Sequence, residues 1–491
     1  METVKWARRG ALPAIALVVG AAIFITAPSA SANAPSGGGN SAPVFTSSST
    51  AKAKQGKPLS FTVKTKATPV AAITVTGTLP PGVSFTDNGN GTGKLTDPTP
   101  LGGSYTIGLH AANTVGSADQ TLTLTVTSKL PLIRHVFVIM LENNDYSATF
   151  GNPSQAPYLA TTLTSEGTLL KNYYGTGHFS NDNYVSLVSG QPPNTSNQLD
   201  CFTYSDFPPG AGQVNGIQQG VGCVYPTAVQ TLADQLTADG LTWKGYQEDM
   251  GNDATRDGGV TCGHPAIGAA DPTESAETQD GYTTRHNPFV YFHSIIDNTT
   301  ECNQDVVPLG DTTGAMPSGT PAGVTGLVTD LHSVATTPNF SFITPNLCDD
   351  GHDSPCKNTT GAGQGGGSSP GDIDKWLQTW VPIITGSPAY QKDGLLLITS
   401  DEAEQPTLDT TACCGETPGP NADNGNNGIN GPGGGVVGAL LLSPSVPAGV
   451  SVTKTSYNHY SALASIEDLF GLHRLGEAST VTTTFDKHIY G

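Results

Sequence analysis

Two apolar runs in this chain stop abruptly on acid and amide side chains. Residues 134–144 read Arg-His-Val-Phe-Val-Ile-Met-Leu-Glu-Asn-Asn, and residues 395–402 read Leu-Leu-Leu-Ile-Thr-Ser-Asp-Glu. Glu142 with Asn143, and Asp401 with Glu402, thus offer oxygen ligands at the ends of two candidate strands. Donors of this kind suit a divalent or transition metal ion, with zinc, iron, manganese and calcium all admissible. A third stretch, residues 177–190, reads Gly-His-Phe-Ser-Asn-Asp-Asn-Tyr-Val-Ser-Leu-Val-Ser-Gly and sets Ser180 just ahead of a helical run. A hydroxyl there can face an anion held by helix N-terminal N–H groups, and a metal at the strand tips would lower its pKa. Asn183, about one turn further on, can donate an amide N–H to a phosphoryl oxygen. The structural alternative for Ser180 is an N-cap.

Two further clusters could join them. Thr344–Asp353 follows a short candidate strand and packs Asp349, Asp350, His352 and Asp353 close together. An imidazole among carboxylates suits a transition metal, and an acidic surface loop binding calcium is the alternative. His459 opens a segment in which Leu463, Ile466, Leu469 and Phe470 recur at helical spacing. There it can reach across the sheet edge, or serve only the helix start; Glu467 and Asp468 are placed on the solvated side. His178, and His286 beside Arg285, can contact phosphate or protonate a leaving group, or can act as loop hydrogen-bonders.

The elements that must position these residues follow from patterning. The long apolar runs read as strands covered on both faces, and ligands of open α/β sheets bind past the carboxyl ends of such strands. Candidate strands at 133–141, 340–344, 394–400 and 436–442 alternate with candidate helices at 156–166, 183–189, 227–239, 373–386 and 459–470. This predicts an α/β unit over 129–491, with a mostly parallel sheet flanked by helices. Gly/Asn/Pro-rich stretches at 350–371 and 415–435 read as surface loops. Residues 43–128 differ: short Val/Thr/Ile/Leu runs alternate with turn signals, including a hairpin turn at Asp87–Thr92, and predict a small all-β sandwich. It carries no obvious catalytic residue and reads as a spacer or weak binding module. Residues 33–42 read as a linker.

Residues 1–32 carry Lys5, Arg8 and Arg9, then an apolar stretch, then Ala30-Ser-Ala32, and read as a cleavable export signal rather than a retained anchor. Export predicts that the eight cysteines form structural disulfides. Cys413 and Cys414 are expected to bond to different partners, and a structural zinc site is disfavoured because no Cys-x-x-Cys spacing occurs. The formal charge of −20, with no basic block, argues against nucleic acid as a partner.

The motif order is specific in combination: Glu-Asn after a first strand, His-x-Ser-x-x-Asn-Tyr before Leu-Val-Ser-Gly, Pro-Asn-Leu with Asp-x-His, strand then Asp-Glu, and His-Tyr-Ser with Ile-Glu-Asp-Leu-Phe-Gly-Leu. Over about 133–472 the chain resembles the acid phosphatase and phospholipase C phosphoesterase family, within the alkaline phosphatase superfamily. Segments 79–85 and 112–118 resemble the immunoglobulin-like modules of exported bacterial proteins. The resemblance implies an alkaline-phosphatase-like sheet and a secreted, metal-dependent phosphoric ester hydrolase. It implies Glu142, Asn143, Asp401 and Glu402 as metal ligands, Ser180 as the nucleophile that takes the phosphoryl group, and Asn183 as the amide steadying a phosphoryl oxygen. Asp350, His352 and His459 match positions for a second metal or for phosphate. The phosphatase-like branch usually has Leu-Pro where this chain has Asn181-Asp182. An acid-phosphatase-type phosphomonoesterase is favoured over a phospholipase C acting on a lipid diester, and both over a non-catalytic exported adhesin that touches the cell envelope through its sandwich. Oligomeric state is not legible.

Overall fold

A computed structural model of the chain describes residues 39–353, 369–403, 407–420 and 431–490. The predicted export signal, most of the linker, Cys356 and parts of both predicted Gly-rich loops lie outside the described residues.

The N-terminal region is a β-sandwich. Its strands are β1 (Ser41–Phe45), β2 (Thr50–Lys54), β3 (Leu59–Thr68), β4 (Ala72–Thr76), β5 (Ser84–Asp87), β6 (Thr92–Asp97), β7 (Gly103–Ala112) and β8 (Ser117–Thr127). They form two four-stranded sheets, ordered β1-β3-β6-β5 and β2-β8-β7-β4. Alternation places Val63, Leu95, Ile107, Leu109, Leu122 and Leu124 in one shared core. The Asp87–Thr92 turn joins β5 to β6, with Asn88 N–H donating to the Thr92 carbonyl at 2.9 Å.

The sandwich is tied to the rest of the chain. Leu101 is buried in the core of the larger unit. Gln55 Nε2 donates to the carbonyls of Asp468 (2.7 Å) and Leu469 (3.0 Å), and Gln55 Oε1 accepts from Gly102 N–H at 3.1 Å.

The larger unit is built on β9 (His135–Leu141), β10 (Thr168–Leu170), β11 (Trp243–Gln247), β12 (Val306–Pro308), β13 (Phe340–Thr344), β14 (Gly394–Ser400), β15 (Ala439–Leu442) and β16 (Val450–Val452). Spatial order is β12-β11-β13-β9-β14-β15-β10-β16. The first five run parallel. β15 is antiparallel to both β14 and β10, and β10 is parallel to β16, so one flank of the sheet is mixed.

Burial explains the apolar runs. All seven residues of β9 are buried, and they alternate between two cores: Val136, Val138 and Met140 on one face, Phe137, Ile139 and Leu141 on the other. Helices α1 (Ser180–Ser189), α2 (Leu232–Ala238) and α4 (His459–Phe470) pack on the first face, and α3 (Ser369–Thr385) on the second. No helix among the described residues is long and apolar enough to cross a membrane.

Two expectations need correction. Cys413 and Cys414 are disulfide-bonded to each other, not to separate partners; among the described residues Cys201–Cys223 and Cys262–Cys302 are also paired, and Cys348 is disulfide-bonded. Glu467 is not on the solvated side. It is fully buried and accepts the Leu475 N–H at 2.9 Å, closing the turn after α4, while Asp468 pairs with Arg474 at 2.7 Å.

Candidate active site

Parallel strands carry their side-chain termini to one edge, and here that edge collects the candidate residues. β9 and β14 are adjacent and in register from His135 to Leu141 against Gly394 to Ser400, so Glu142 and Asp401 emerge side by side. Asn143 takes a left-handed backbone (φ 53°) and donates its N–H to Asp401 Oδ1 at 3.1 Å, pinning the two tips together.

Ser180 reaches the same place from α1. Phe179 has φ 78°, a conformation costly for a side chain with a Cβ, and it turns the chain so that Ser180 becomes the first helical residue. Ser180 is therefore not an N-cap. It is 2% exposed, and its hydroxyl donates to Glu142 Oε2 at 2.9 Å. Asn183 shapes the turn. Its Nδ2 donates to the Gly177 and Phe179 carbonyls, both at 3.0 Å, and its Oδ1 accepts from Thr176 and Gly177 N–H. Both amide N–H groups are spent on the turn, so Asn183 offers none to an incoming phosphoryl group and acts as its scaffold.

Glu402 receives the Phe179 N–H and contacts His178 Nδ1, while His178 Nε2 donates to the Asp409 carbonyl at 3.1 Å. His178 thus links the Ser180 turn to the 407–411 segment.

His459 was expected to bind metal or phosphate, and its hydrogen bonds give it a different task. Nε2 donates to the Asp401 carbonyl at 2.7 Å, and Nδ1 accepts from the Tyr173 hydroxyl at 3.1 Å. Both ring nitrogens are used in bracing the Asp401 backbone. Burial lowers the ring to about 4, keeping it neutral.

Asp350 likewise acts through a neighbour. Its Oδ2 accepts from His286 Nδ1 at 2.9 Å and its Oδ1 from His352 N–H at 2.8 Å. His286 is stacked on Tyr184, with ring centroids 5.1 Å apart. His352 accepts from Arg285 at 3.1 Å and pairs with Asp353 at 2.9 Å.

The decisive contact is between His286 and Glu142. With Nδ1 bearing the proton shared with Asp350, His286 Nε2 presents a lone pair to Glu142 Oε1 at 3.3 Å. Burial, with Arg285 and His352 nearby, pushes the His286 ring well below its usual range, so the ring stays neutral with Nε2 bare. Glu142 Oε1, Asn143 Oδ1, Asp401 Oδ2 and His286 Nε2 are all buried without a hydrogen-bond partner. Burial pushes Glu142 well above the carboxylate range, and Asp401 and Asp350 add to it. Burial and then Glu402 do the same for Asp401, and burial for Asp350. Buried acceptors without donors are costly, and a cation would satisfy all of them. The oriented carboxylate–histidine pair is the usual support for a metal ligand. The donor set therefore fits a metal ion, and Glu142, His286 and His352 form a group close enough to hold one.

Other residues of this edge were marked in the sequence only beside a candidate, as Arg285 and Asp182 were, or not at all, as with Asp200, Glu274, Glu248 and Asp249. Arg285 is buried between Asp200 and Glu274; burial alone would lower its guanidinium, but those two carboxylates outweigh it. Asp200 also accepts the Asn181 N–H at 3.0 Å. Glu248 and Asp249 follow β11 directly, so a third strand also ends in an acidic pair; β11 is short and punctuated by Gly245, which hid it. Asp182 is fully buried, its carboxyl pushed well up by burial and by Glu402, Asp200 and Asp401.

The phosphoesterase family profile matches residues 152–473, more than half of the chain. The chain belongs to the phosphoesterase family. Within it, an acid phosphatase of Aspergillus fumigatus is 24% identical over 342 residues, 69% of this chain and 55% of the fungal protein. A phosphatidylinositol-3-phosphatase of Mycobacterium tuberculosis is 23% identical over 363 residues, 73% of this chain and 84% of that one. The chain spans little more than half the length of the fungal relatives. Among solved structures, an alkaline phosphatase superfamily protein from Vibrio parahaemolyticus aligns over 69% of this chain and 67% of its own, at 12% identity and a TM-score of 0.39. The phosphoesterase profile starts ten residues past Glu142, so the Glu142–Asn143 tip joins the family region by strand pairing.

Proposed function

We propose that this phosphoesterase-family chain is an exported, metal-dependent phosphoric ester hydrolase that acts on monoesters through Ser180. The observation that carries the reading is the Ser180 hydroxyl, 2.9 Å from Glu142, beside three buried oxygens and one imidazole nitrogen that lack hydrogen-bond partners. Family membership and the names of the relatives, acid phosphatase and phosphatidylinositol-3-phosphatase, support a phosphate ester as substrate. Export rests on residues 1–32 of the sequence.

Glu142, Asn143, Asp401 and Glu402 would hold the metal, with His286 and His352 in reach of Glu142. When bound, a divalent cation lowers the pKa of a neighbouring hydroxyl and takes up charge on phosphoryl oxygens. Ser180 Oγ, held by the Phe179 turn and by Asn183, attacks phosphorus in line as its proton passes to Glu142. The bond to the leaving oxygen breaks, giving a phosphoserine. Water then attacks phosphorus from the vacated side. The departing alkoxide takes the water proton, while His286 Nε2, oriented by Asp350, would help hold the metal. The P–Oγ bond breaks, Glu142 returns the proton to Oγ, and phosphate leaves. His459 and Tyr173 hold the Asp401 backbone throughout.

The test is a substrate panel with the purified full-length chain: p-nitrophenyl phosphate, bis-p-nitrophenyl phosphate and a choline phospholipid, with metal analysis. Turnover of the monoester well above both diesters, with bound metal, is the expected result. Preference for the phospholipid would make the chain a phospholipase C. Neither activity nor stoichiometric metal would make it a non-catalytic protein.

A further inference from the structure

Cys413 and Cys414 are bonded to each other, and Cys414 is exposed. Every other cysteine pair described has at least one member buried: Cys201 and Cys223, and Cys302 of the Cys262–Cys302 pair. The adjacent pair is therefore the one that a thiol in solution reaches first.

Its position connects two walls of the Ser180 site. Upstream, the Asp409 carbonyl accepts from His178 at 3.1 Å, and its carboxylate accepts from Thr411 N–H at 3.0 Å and Val436 N–H at 2.9 Å. The Thr411 carbonyl accepts from Gly435 N–H at 2.9 Å, and the Gly435 carbonyl from Gly175 N–H at 3.0 Å, in the loop that leads to Ser180. Downstream, Cys413 N–H donates to Glu416 Oε1 at 3.2 Å, and Glu416 faces Asn458, the cap of α4 just before His459. Cys413 Sγ lies 3.4 Å from the Tyr457 carbonyl. The Cys413–Cys414 turn thus sits between the wall that holds His178 and the wall that starts the His459 brace. Cys414 has φ 72°, a conformation that a residue with a Cβ leaves when nothing holds it there.

We propose that Cys413–Cys414 is a thiol–disulfide exchange site that sets the geometry of the Ser180 site according to its redox surroundings. In the reaction the Cys413–Cys414 S–S bond breaks. Two thiols of a dithiol reductant give up two electrons and two protons, both cysteines become thiols, and the reductant closes its own disulfide. Freed of the ring, Cys414 relaxes from its left-handed conformation. The Asp409–Thr411 wall and the Glu416–Asn458 contact then loosen together, and with them the two backbone supports of His178 and His459.

The experiment is a dithiothreitol titration of the full-length protein, followed by differential alkylation with peptide mapping and by amide hydrogen exchange. Cys413 and Cys414 should reduce at lower dithiothreitol than Cys201–Cys223 and Cys262–Cys302. At that point exchange should quicken about tenfold or more at residues 409–412 and 457–459, and reoxidation should restore it. The activity arm rests on the phosphoesterase reading: p-nitrophenyl phosphate turnover should fall about tenfold on reduction, and the Cys413→Ser/Cys414→Ser double variant should stay at the reduced level whatever the reductant. Unchanged exchange after this pair is reduced would overturn the proposal, as would mapping that joins Cys413 to any other cysteine. A chain that hydrolyses no phosphate ester in either state would sink the enzymatic reading alone, because hydrogen exchange decides the switch without it.

Discussion

Three strands of the parallel run end in acidic or amide pairs on the same sheet edge, yet they are not equivalent. Beyond β11, Glu248 Oε2 receives Asn346 N–H at 3.0 Å and Trp376 Nε1–H at 2.9 Å. Asp249 receives Gly281 N–H at 3.0 Å, and Asn346 Nδ2–H at 2.9 Å. Beyond β9 and β14, Glu142, Asn143 and Asp401 each keep a buried oxygen with no donor. Both groups are buried and acidic, and burial pushes Glu248 well up just as it does Glu142. What separates them is valence. Protein donors reach Glu248 Oε2 and both Asp249 oxygens, whereas each of Glu142, Asn143 and Asp401 keeps a buried oxygen that none reaches. Residue type at a strand tip nominates a site; unfilled acceptors single it out.

The largest effect is expected at Ser180. Ser180→Ala should lower kcat by about 10³-fold or more while costing only about 1–3 kcal/mol of stability, the loss of the donor to Glu142 Oε2. Steady-state kinetics and a thermal melt check it; near-normal turnover would remove the nucleophile assignment. Metal removal comes next. Dialysis against a chelator should cut activity about 10²-fold and lower the melting temperature, because the donor-free oxygens of Glu142, Asn143 and Asp401 are then buried together without compensation. Asp401→Asn should abolish the response to added metal, whereas Glu248→Gln should keep it, as followed by calorimetric titration.

The strand tips were legible because a run buried on both faces is unmistakable: β9, β13 and β14 begin or end within two residues of where the pattern put them. α4 was legible for the same reason, since its apolar face repeats cleanly from Leu463 to Phe470. β15 was expected in place but not its antiparallel direction, which one short strand does not encode. Side-chain roles fared differently. A histidine type says that nitrogen is available, and only the partners say whether it is spent. His459 is spent on a carbonyl and a tyrosine, and His286, read as catalytic, keeps the bare nitrogen. The Cys413–Cys414 bond and the docking of Gln55 onto α4 depend on contacts that no local pattern specifies.

The filled pair makes its own prediction, in stability rather than activity. Burial raises the Asp249 carboxyl from near 4 to about 6. Between those values the folded state keeps a proton that the unfolded chain has lost, so stability falls as pH rises through this window and levels off above it. Asp249→Asn should remove that slope, worth about 3 kcal/mol at most, as read by denaturant melts at pH 4, 5, 6 and 7. Its kcat should stay within about twofold of the parent, since the reacting groups lie at the other tips. A large loss of kcat with intact folding would place the β11 tip inside the working site and dissolve the distinction between filled and unfilled pairs.

The smallest expected effect lies farthest from the edge, where the sandwich meets α4. Gln55 supplies two hydrogen bonds to carbonyls of the last turn of α4, those of Leu469 and of Asp468, which also takes the Gly471 N–H at 3.3 Å. Gln55→Ala should therefore cost about 1–2 kcal/mol in a denaturant melt, with both carbonyls gaining water in exchange. α4 begins at His459, which braces Asp401, so loosening its far end should reach the site only weakly, within about twofold in kcat. If Gln55→Ala instead lowered kcat by more than it lowered stability, the sandwich would be part of the machinery that holds Asp401 in place. The contrast that matters would then run between the two ends of α4 rather than between strand tips.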